Sequence, residues 1–572
     1  MNHRPRQPQA RRPTVRLSEG NQHAPFLSAR MVGLRTALTV GGALAAIAVF
    51  VGRAADSLGY WHWGDEDEKI VAAWMIAEGY RLYDTLFAHH GALNYALAHL
   101  AYLATGSVQL APYRILQWGT LVLAGAALAA SPLLCSWRQR VIAFSGFSVL
   151  VALLGPLWYG HTLLYHSLGG VAISIALSLL VLPMMFAVKP SPVQASLGGA
   201  ALSAAVFAAY PFALPAVLLP VAALAMVRAR GMPWRGWRPT LLQATAGFGG
   251  FTLVMLLWLA RYGDILGYVV HHFWLNQAVY ANFIDYDPAV VVTQLEKLFQ
   301  SPLGWALQAV VLFSLLLLVE ARAVADHDSD GALLPRRRRL WLVAAWALFV
   351  LGLLFLNPRG EVVYKNAALW IVGLGLLSLL IVWTPRRPGN TTAVAILRGL
   401  ALVVAIAAPT YLIGVKRWSD VDARYVTRAY AEEKRVGYAQ RIRLVQALVP
   451  ATEPMLAMVF APRWYLLAER LPSSGAYYYL PWQAAYNRSP VLGYRIDPCA
   501  DLAAAPPKVI AWDRWRVWER YDVADYAPCL VEIMRQDYLA ITRTPLLLRK
   551  PVSAADRAIV TALGFDLMPV AD

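Results

Sequence analysis

Apolar runs of sixteen residues and more, free of Asp, Glu, Lys and Arg, recur along this chain, as at 303–319, 340–356, 367–383 and 399–414. A bilayer core offers the backbone no water, so a chain patterned this way must close its hydrogen bonds within helices or within a barrel. Runs of this length without period-two alternation are helical. Hydrophobic residues make up 58% of the sequence and charged residues 15%, where ordinary soluble domains carry about a quarter charged. The chain therefore reads as mainly α, a polytopic transmembrane helical bundle. Its 21 tryptophans and 27 tyrosines, many at the ends of the runs, fit interfacial belts.

The net charge of +17 is not a nucleic-acid footprint. Much of it lies in short clusters between the runs: the arginines up to Arg35, then Arg138/Arg140, Arg228/Arg230/Arg235/Arg238, Arg336 to Arg339, and Arg386/Arg387. Clusters separated by spans form no single face for a nucleic acid, and they mark cytoplasmic loops instead. With these marks fixed, residues 1–33 are a disordered, basic cytoplasmic segment and 34–51 an uncleaved signal anchor. The apolar piece at 92–104 is too short to span and reads as a juxtamembrane or re-entrant helix. Spans follow at 113–134, 141–159, 168–188, 241–260, 303–319, 340–356, 367–383 and 399–414. The stretch 195–227, interrupted by Pro211 and Pro215, is two short helices or a re-entrant pair. The total is about eleven crossings, within a transmembrane domain over 34–414.

This count places 52–112, 160–167, 261–302 and 357–366 on one, non-cytoplasmic side, with Lys416 and Arg417 a modest departure from the charge rule. Residues 415–572 are polar and read as a small soluble α/β domain on that side, with a helix over 422–448 and strands at 455–460, 509–512 and 539–542. Cys499 and Cys529 both fall in it, where a disulfide and two buried thiols are both open.

The four non-cytoplasmic segments hold the polar clusters that can carry chemistry. Asp65, Glu66, Asp67 and Glu68 open a helix that ends near Gly79. First-turn carboxylates suit the helix dipole as plain solvated caps, and one of them can equally serve as a general base at the membrane surface. His89 and His90 precede the short helix, and His161 and His166 lie in the next outer loop. Together they suit an anion or metal site, although each alone suits an interfacial histidine. Arg359 and Lys365 sit in the loop from Asn357 to Asn366, suited to a leaving phosphate or to snorkelling. The aromatic and amide residues around His271, His272, Trp274, Asn276, Tyr280, Asn282, Asp285 and Asp287, and the run Tyr477 to Trp482, fit sugar recognition and an interfacial helix alike. No Walker A loop, GxSxG elbow, HExxH or CxxC pair stands out.

On these residues the chain resembles the GT-C superfamily of integral-membrane glycosyltransferases, in particular bacterial relatives of protein mannosyltransferases and of lipid A aminoarabinose transferases. In those families a D-E pair after the first span begins a helix ending in glycine, as do Asp65-Glu66 and Gly79 here. Tyr83-Asp84 and Phe87 resemble the aromatic segment that follows. His89-His90-Gly91-Ala92-Leu93 occupies the place of a basic residue before P-P-L, with histidine for lysine and no prolines. Arg114 resembles the arginine after the juxtamembrane helix, and Arg359, Tyr364 and Lys365 the late-loop residues. The motif-bearing similarity covers about 34–190, the topological one extends to 414, and the tail contributes little.

The resemblance implies a GT-C-like bundle in the bacterial inner membrane, with its site and tail on the periplasmic side. It implies a polyprenyl-phosphate sugar donor, an acceptor hydroxyl, an inverting displacement, and a metal dependence that varies among members, leaving a divalent cation open. Asp65 would be the base, supported by Glu66 and Glu68. The donor phosphate would leave against His89, His90, Arg114, Arg359, Tyr364 and Lys365, with Asp67, His161 and His166 as further site candidates. The acceptor stays open among glycan, lipid and protein. The rival classes are a transporter or flippase of a lipid-linked saccharide, a polysaccharide polymerase or ligase, and a membrane scaffold.

Overall fold

The computed structural model describes residues 25–284, 303–325, 335–356, 363–383, 391–414 and 427–570. Arg359, Asp285, Asp287, Arg386, Arg387, Lys416, Arg417 and residues 1–24 lie outside the described residues.

Each apolar segment read from the sequence is helical. The first half of the chain forms α1 (Pro25–Ser57), α2 (Gly64–Ala77), α3 (Ala92–Thr105), α4 (Leu110–Ala129) and α5 (Trp137–Leu154). Then come α6 (Tyr165–Met185), α7 (Pro192–Ala208), α8 (Ala213–Ala229) and α9 (Arg238–Tyr262). Later helices span Leu303–Ala325, Arg336–Leu354, Ala367–Val382 and Thr391–Gly414. Among the described residues, six helices are long and apolar enough to cross a membrane, and Pro192–Ala208, Gly304–Glu320 and Ala367–Val382 are shorter apolar ones.

The stretch 195–227 resolves into two helices, α7 and α8, joined by a turn at Tyr210–Phe212. Pro211 has no N–H to continue the ladder there. Ser191 caps the start of α7, its hydroxyl accepting from the Gln194 amide while the Gln194 side chain accepts from Ser191 N–H. The segment after α9, for which an interfacial helix is one of two readings, is helical: Ile265–Tyr268 runs into a wide π-helical stretch, Val269–Val279. Asp264 starts it, accepting from the Gly267 N–H at 2.5 Å.

The tail opens with a helix, Arg428–Leu448, and builds one five-stranded sheet. Its strands are β1 (Leu456–Met458), β2 (Val509–Trp512), β3 (Tyr538–Ile541), β4 (Leu546–Arg549) and β5 (Leu567–Pro569), in the order β1-β2-β4-β3-β5. β1 and β2 pair in parallel and the rest antiparallel. Three strands fall where the sequence places them. β4 and β5 are additional, too short for their pattern to stand out. Cys499 and Cys529 are joined in a disulfide.

The tail is fastened to the end of α1 and to the segment between α1 and α3. Arg428 pairs with Asp56 at 2.8 Å, and Arg435 donates to the Gly59 carbonyl at 2.9 Å. Gly475 passes so close to the chain at Thr85 that any Cβ would collide with the Thr85 carbonyl oxygen, while its own carbonyl accepts from Phe87 N–H at 3.1 Å. That close passage brings Tyr477 and Tyr478 down onto α2.

Candidate active site

α2 is enclosed rather than amphipathic: Glu66, Asp67, Glu68 and Lys69 are consecutive and all buried. Buried charges need partners, and each of these has found a different one. Glu66 faces Arg114 of α4, which donates to it through Nη2 at 2.8 Å and through Nε at 3.2 Å. The remaining guanidinium hydrogens reach the carbonyls of Ser57, Tyr60 and Trp61, each at 2.9 Å. All five N–H groups of Arg114 are thereby engaged. Burial pushes the Glu66 carboxyl above its ordinary value against the pull of Arg114.

Glu68 is the centre of a second network. Lys69 Nζ lies 2.7 Å from Oε2, and Oε1 accepts from Tyr95 at 2.5 Å and from Tyr478 at 3.2 Å. His90 Nδ1 stands 3.1 Å from Oε1 and 3.0 Å from Lys69 Nζ. Burial raises the Glu68 carboxyl, but His90 and Lys69 outweigh it and hold the group well below the usual carboxylate range. One ring nitrogen cannot donate to Glu68 and accept from Lys69 together. When Nδ1 accepts from Lys69, the His90 proton sits on Nε2.

Asp67 binds neither cation. Its Oδ1 lies 2.7 Å from His62 Nδ1, and Oδ2 is buried without a hydrogen-bond partner among the described residues. Asp65, the first of the four, is only partly buried, and among the described residues its carboxylate has no hydrogen-bond or ion-pair partner.

Two cavities meet over this framework. One, of about 480 Å³, is lined by Asp65, His62 and Trp63 from the start of α2 and by Phe460, Arg463, Trp482, Asp513, Trp515 and Trp518 from the tail. The other, of about 400 Å³, has walls of Ala209, Pro211, Leu214, Ile284 and Phe355, with His166, His272, Asn276 and Lys365 among them. His89, His90, Tyr165 and Tyr280 line both. The His90 ring stacks on Tyr165 at 4.5 Å and lies 4.1 Å from His89. Gly91 lets this corner press onto the end of α7, where a Cβ would strike the Phe207 and Ala208 carbonyls.

The structure thus brings Asp65, His89, His90, His166 and Lys365 to the cavities. Glu66, Glu68, Asp67 and Arg114 lie beneath them as buried support. His161 is buried elsewhere, edge-on to Tyr60 at 5.3 Å, outside both linings. Tyr364 lies in the short turn Val363–Asn366. Sequence reasoning missed His62, Lys69, Tyr95, Arg463, Trp515 and Trp518, whereas His272 and Trp482 fall in the two stretches read as sugar-recognition or interfacial aromatics. Tyr477 and Tyr478, noted as sugar or interface aromatics, are buried hydrogen-bond donors to Glu68, Tyr477 reaching its carbonyl at 3.2 Å. Among the described residues, no three His, Cys, Asp or Glu side chains are grouped to hold a metal ion.

The imidazoles of His89, His271 and His272 are kept neutral. Burial, with His90 adding, holds His89 well below its ordinary value, and burial pushes His271 down to about 4 and His272 down to about 3. In the unfolded chain the same rings protonate near about 6.5. The unfolded state therefore binds more protons below that pH, and stability falls as pH drops through the window from the unfolded to the folded values. Each ring contributes about 1.4 kcal/mol per pH unit there. The depressed Glu68 carboxyl adds a further loss only below its own unfolded value. The melting temperature in detergent is expected to fall steadily from pH 7 to pH 5, and a flat profile would show that these rings are hydrated in the fold.

No protein-family model matches the sequence, and no curated protein matches it significantly. Solved structures do. ArnT from Cupriavidus metallidurans bound to undecaprenyl phosphate is 12% identical, with 91% of this chain and 99% of that chain covered and a TM-score of 0.49. The archaeal oligosaccharyltransferase AglB from Archaeoglobus fulgidus, in complex with an inhibitory peptide and a dolichol-phosphate, is 12% identical, with 94% and 74% covered and a TM-score of 0.39.

Proposed function

We propose that the protein is a membrane glycosyltransferase that moves a sugar from a polyprenyl-phosphate donor to an acceptor hydroxyl on the periplasmic side of the bacterial inner membrane. The observation that carries this reading is the shared wall of the two cavities. An apolar cavity with Lys365 and imidazoles at its rim suits a prenyl chain ending in a phosphate. The cavity behind that wall holds an unpaired carboxylate among aromatic side chains, as a sugar and its acceptor require. A donor lying across His89 and His90 would have its phosphate on one side and its anomeric carbon on the other.

In the displacement, the acceptor oxygen attacks the anomeric carbon from the face opposite the phosphate, so the centre inverts. Asp65 takes the hydroxyl proton, the glycosidic C–O bond forms, and the bond to the lipid phosphate breaks. Charge collects on the departing phosphate, where fixed donors act most strongly in a site closed to water. His89, His90 and Lys365 are in place for this, with Arg359 and Tyr364 as further candidates from the same loop. Glu66 and Glu68 support Asp65 by fixing α2, and Arg114 acts through Glu66. About eleven crossings, counted from the charge pattern, put this site and the tail on the non-cytoplasmic side, and a disulfide in the tail suits that compartment.

The test is transfer from a panel of radiolabelled polyprenyl-phosphate sugars to glycan, lipid and peptide acceptors, with protein in nanodiscs. Product with inverted configuration supports the reading. Movement of a labelled lipid-sugar across vesicles without any product would replace it by a flippase. Lys365→Ala is expected to raise the donor KM about tenfold or more, the size of one hydrogen bond to a charged group, with a smaller change in kcat. An unchanged donor KM would remove Lys365 from the phosphate site.

A further inference from the structure

Beside Asp65, the larger cavity carries a titratable group that the displacement above leaves unused. His62 sits just before α2, lines the cavity, and is held through Nδ1 by Asp67 at 2.7 Å. Asp67 is wholly buried and reaches no cation, and its second oxygen has no hydrogen-bond partner among the described residues. A carboxylate placed this way fixes the proton on Nδ1 and favours the imidazolium once a second proton arrives. The nitrogen left over is Nε2, which has no hydrogen-bond partner among the described residues and is not occluded. Asp67 has no other visible use: a buried carboxylate committed to one imidazole is costly unless that imidazole takes up charge.

We infer that His62, oriented by Asp67, relays the acceptor's proton out of the site. This rests on the reading of Asp65 as the group that removes that proton. After the displacement the proton is on the Asp65 carboxyl, which must lose it before another turnover. It passes, directly or through one water, to Nε2 of His62. The Asp65 O–H bond breaks, the Nε2–H bond forms, and Asp65 returns to carboxylate. The imidazolium is balanced by Asp67 and then gives the proton to solvent. Imidazole suits this step because one ring nitrogen can take the proton while the other is held by a carboxylate. The other charged groups around the ring are Glu66, which interacts with it electrostatically, and Arg463 and Asp513 across the cavity. Asp67 is a positioning residue.

His62→Ala and Asp67→Asn are each measured for steady-state transfer across pH 5 to 9, in nanodiscs, with and without free imidazole. His62→Ala is expected to lower kcat ten- to a hundredfold with an unchanged donor KM, to erase the acidic limb of the kcat profile, and to recover activity as imidazole is added. Asp67→Asn should lower kcat less and shift that limb, with no recovery by imidazole. If His62→Ala fails to fold, His62→Gln carries the same expectation for kcat, KM and the limb. Unchanged kcat and an intact limb in the folded His62 variant would overturn the relay, as would loss of activity that imidazole cannot restore. Should wild-type protein transfer no sugar from any donor, the reading of the site itself fails instead, so the two failures are distinguishable.

Discussion

Asp65→Asn is expected to lower kcat for sugar transfer by about 10²–10⁴-fold, and to leave expression and melting temperature close to wild type. The size follows from the role. A positioned base contributes about 10²–10⁴, and Asn has no lone pair basic enough to replace it. The small structural cost follows from the geometry: Asp65 is partly exposed and has no hydrogen-bond or ion-pair partner among the described residues, so its charge gives the fold only the modest benefit of a first-turn carboxylate. Its three neighbours behave differently, because each is buried against a partner. The measurement is single-turnover transfer from a labelled donor, with donor binding followed separately. Full activity in Asp65→Asn would remove the base assignment. Loss of donor binding instead of turnover would make Asp65 a binding group.

The contrast between Asp65 and its neighbours also shows where the sequence stops informing. The apolar runs and the short helix at 92–104 are local patterns, and the helices follow them. The order of roles within Asp65, Glu66, Asp67 and Glu68 is not a local pattern. On an ordinary surface helix, burial repeats every three to four residues and separates facing side chains from exposed ones. α2 is covered on every side, by α3, by α4 and by the tail, so four residues in succession are buried and periodicity is silent. Glu68 meets Tyr95 at a separation of 27 residues and Tyr478 at 410. Lys69 was passed over for the same reason, since an isolated lysine in a polar segment reads as solvated. His62 had a visible signal, an imidazole just ahead of the acidic run, but its pairing with Asp67 needs the turn before α2. The tail, whose sequence holds no motif tied to the acidic run, supplies Tyr477, Tyr478 and one wall of the cavity over Asp65.

Arg114→Met tests that buried framework rather than the chemistry. Removing the guanidinium leaves Glu66 without its cation and the Ser57, Tyr60 and Trp61 carbonyls without that donor. Breaking a buried ion pair from one side costs about 3–5 kcal/mol, and each orphaned acceptor adds about 1–3 kcal/mol where water cannot reach it. The loss should therefore exceed that of any single substitution at the cavity wall, and melting in detergent reads it directly. Arg114→Lys is expected to recover little, because an ammonium has three donors and no planar fork for a site that uses five. Glu66→Met in the Arg114→Met background should return part of the loss by removing the stranded carboxylate, while the three carbonyls keep the remainder. A double variant as unstable as Arg114→Met alone would mean that the bonds to the Ser57, Tyr60 and Trp61 carbonyls, not the ion pair, carry the contribution of Arg114. An Arg114→Met protein that melts like wild type but binds the donor weakly would return Arg114 to the phosphate site that the resemblance assigned to it.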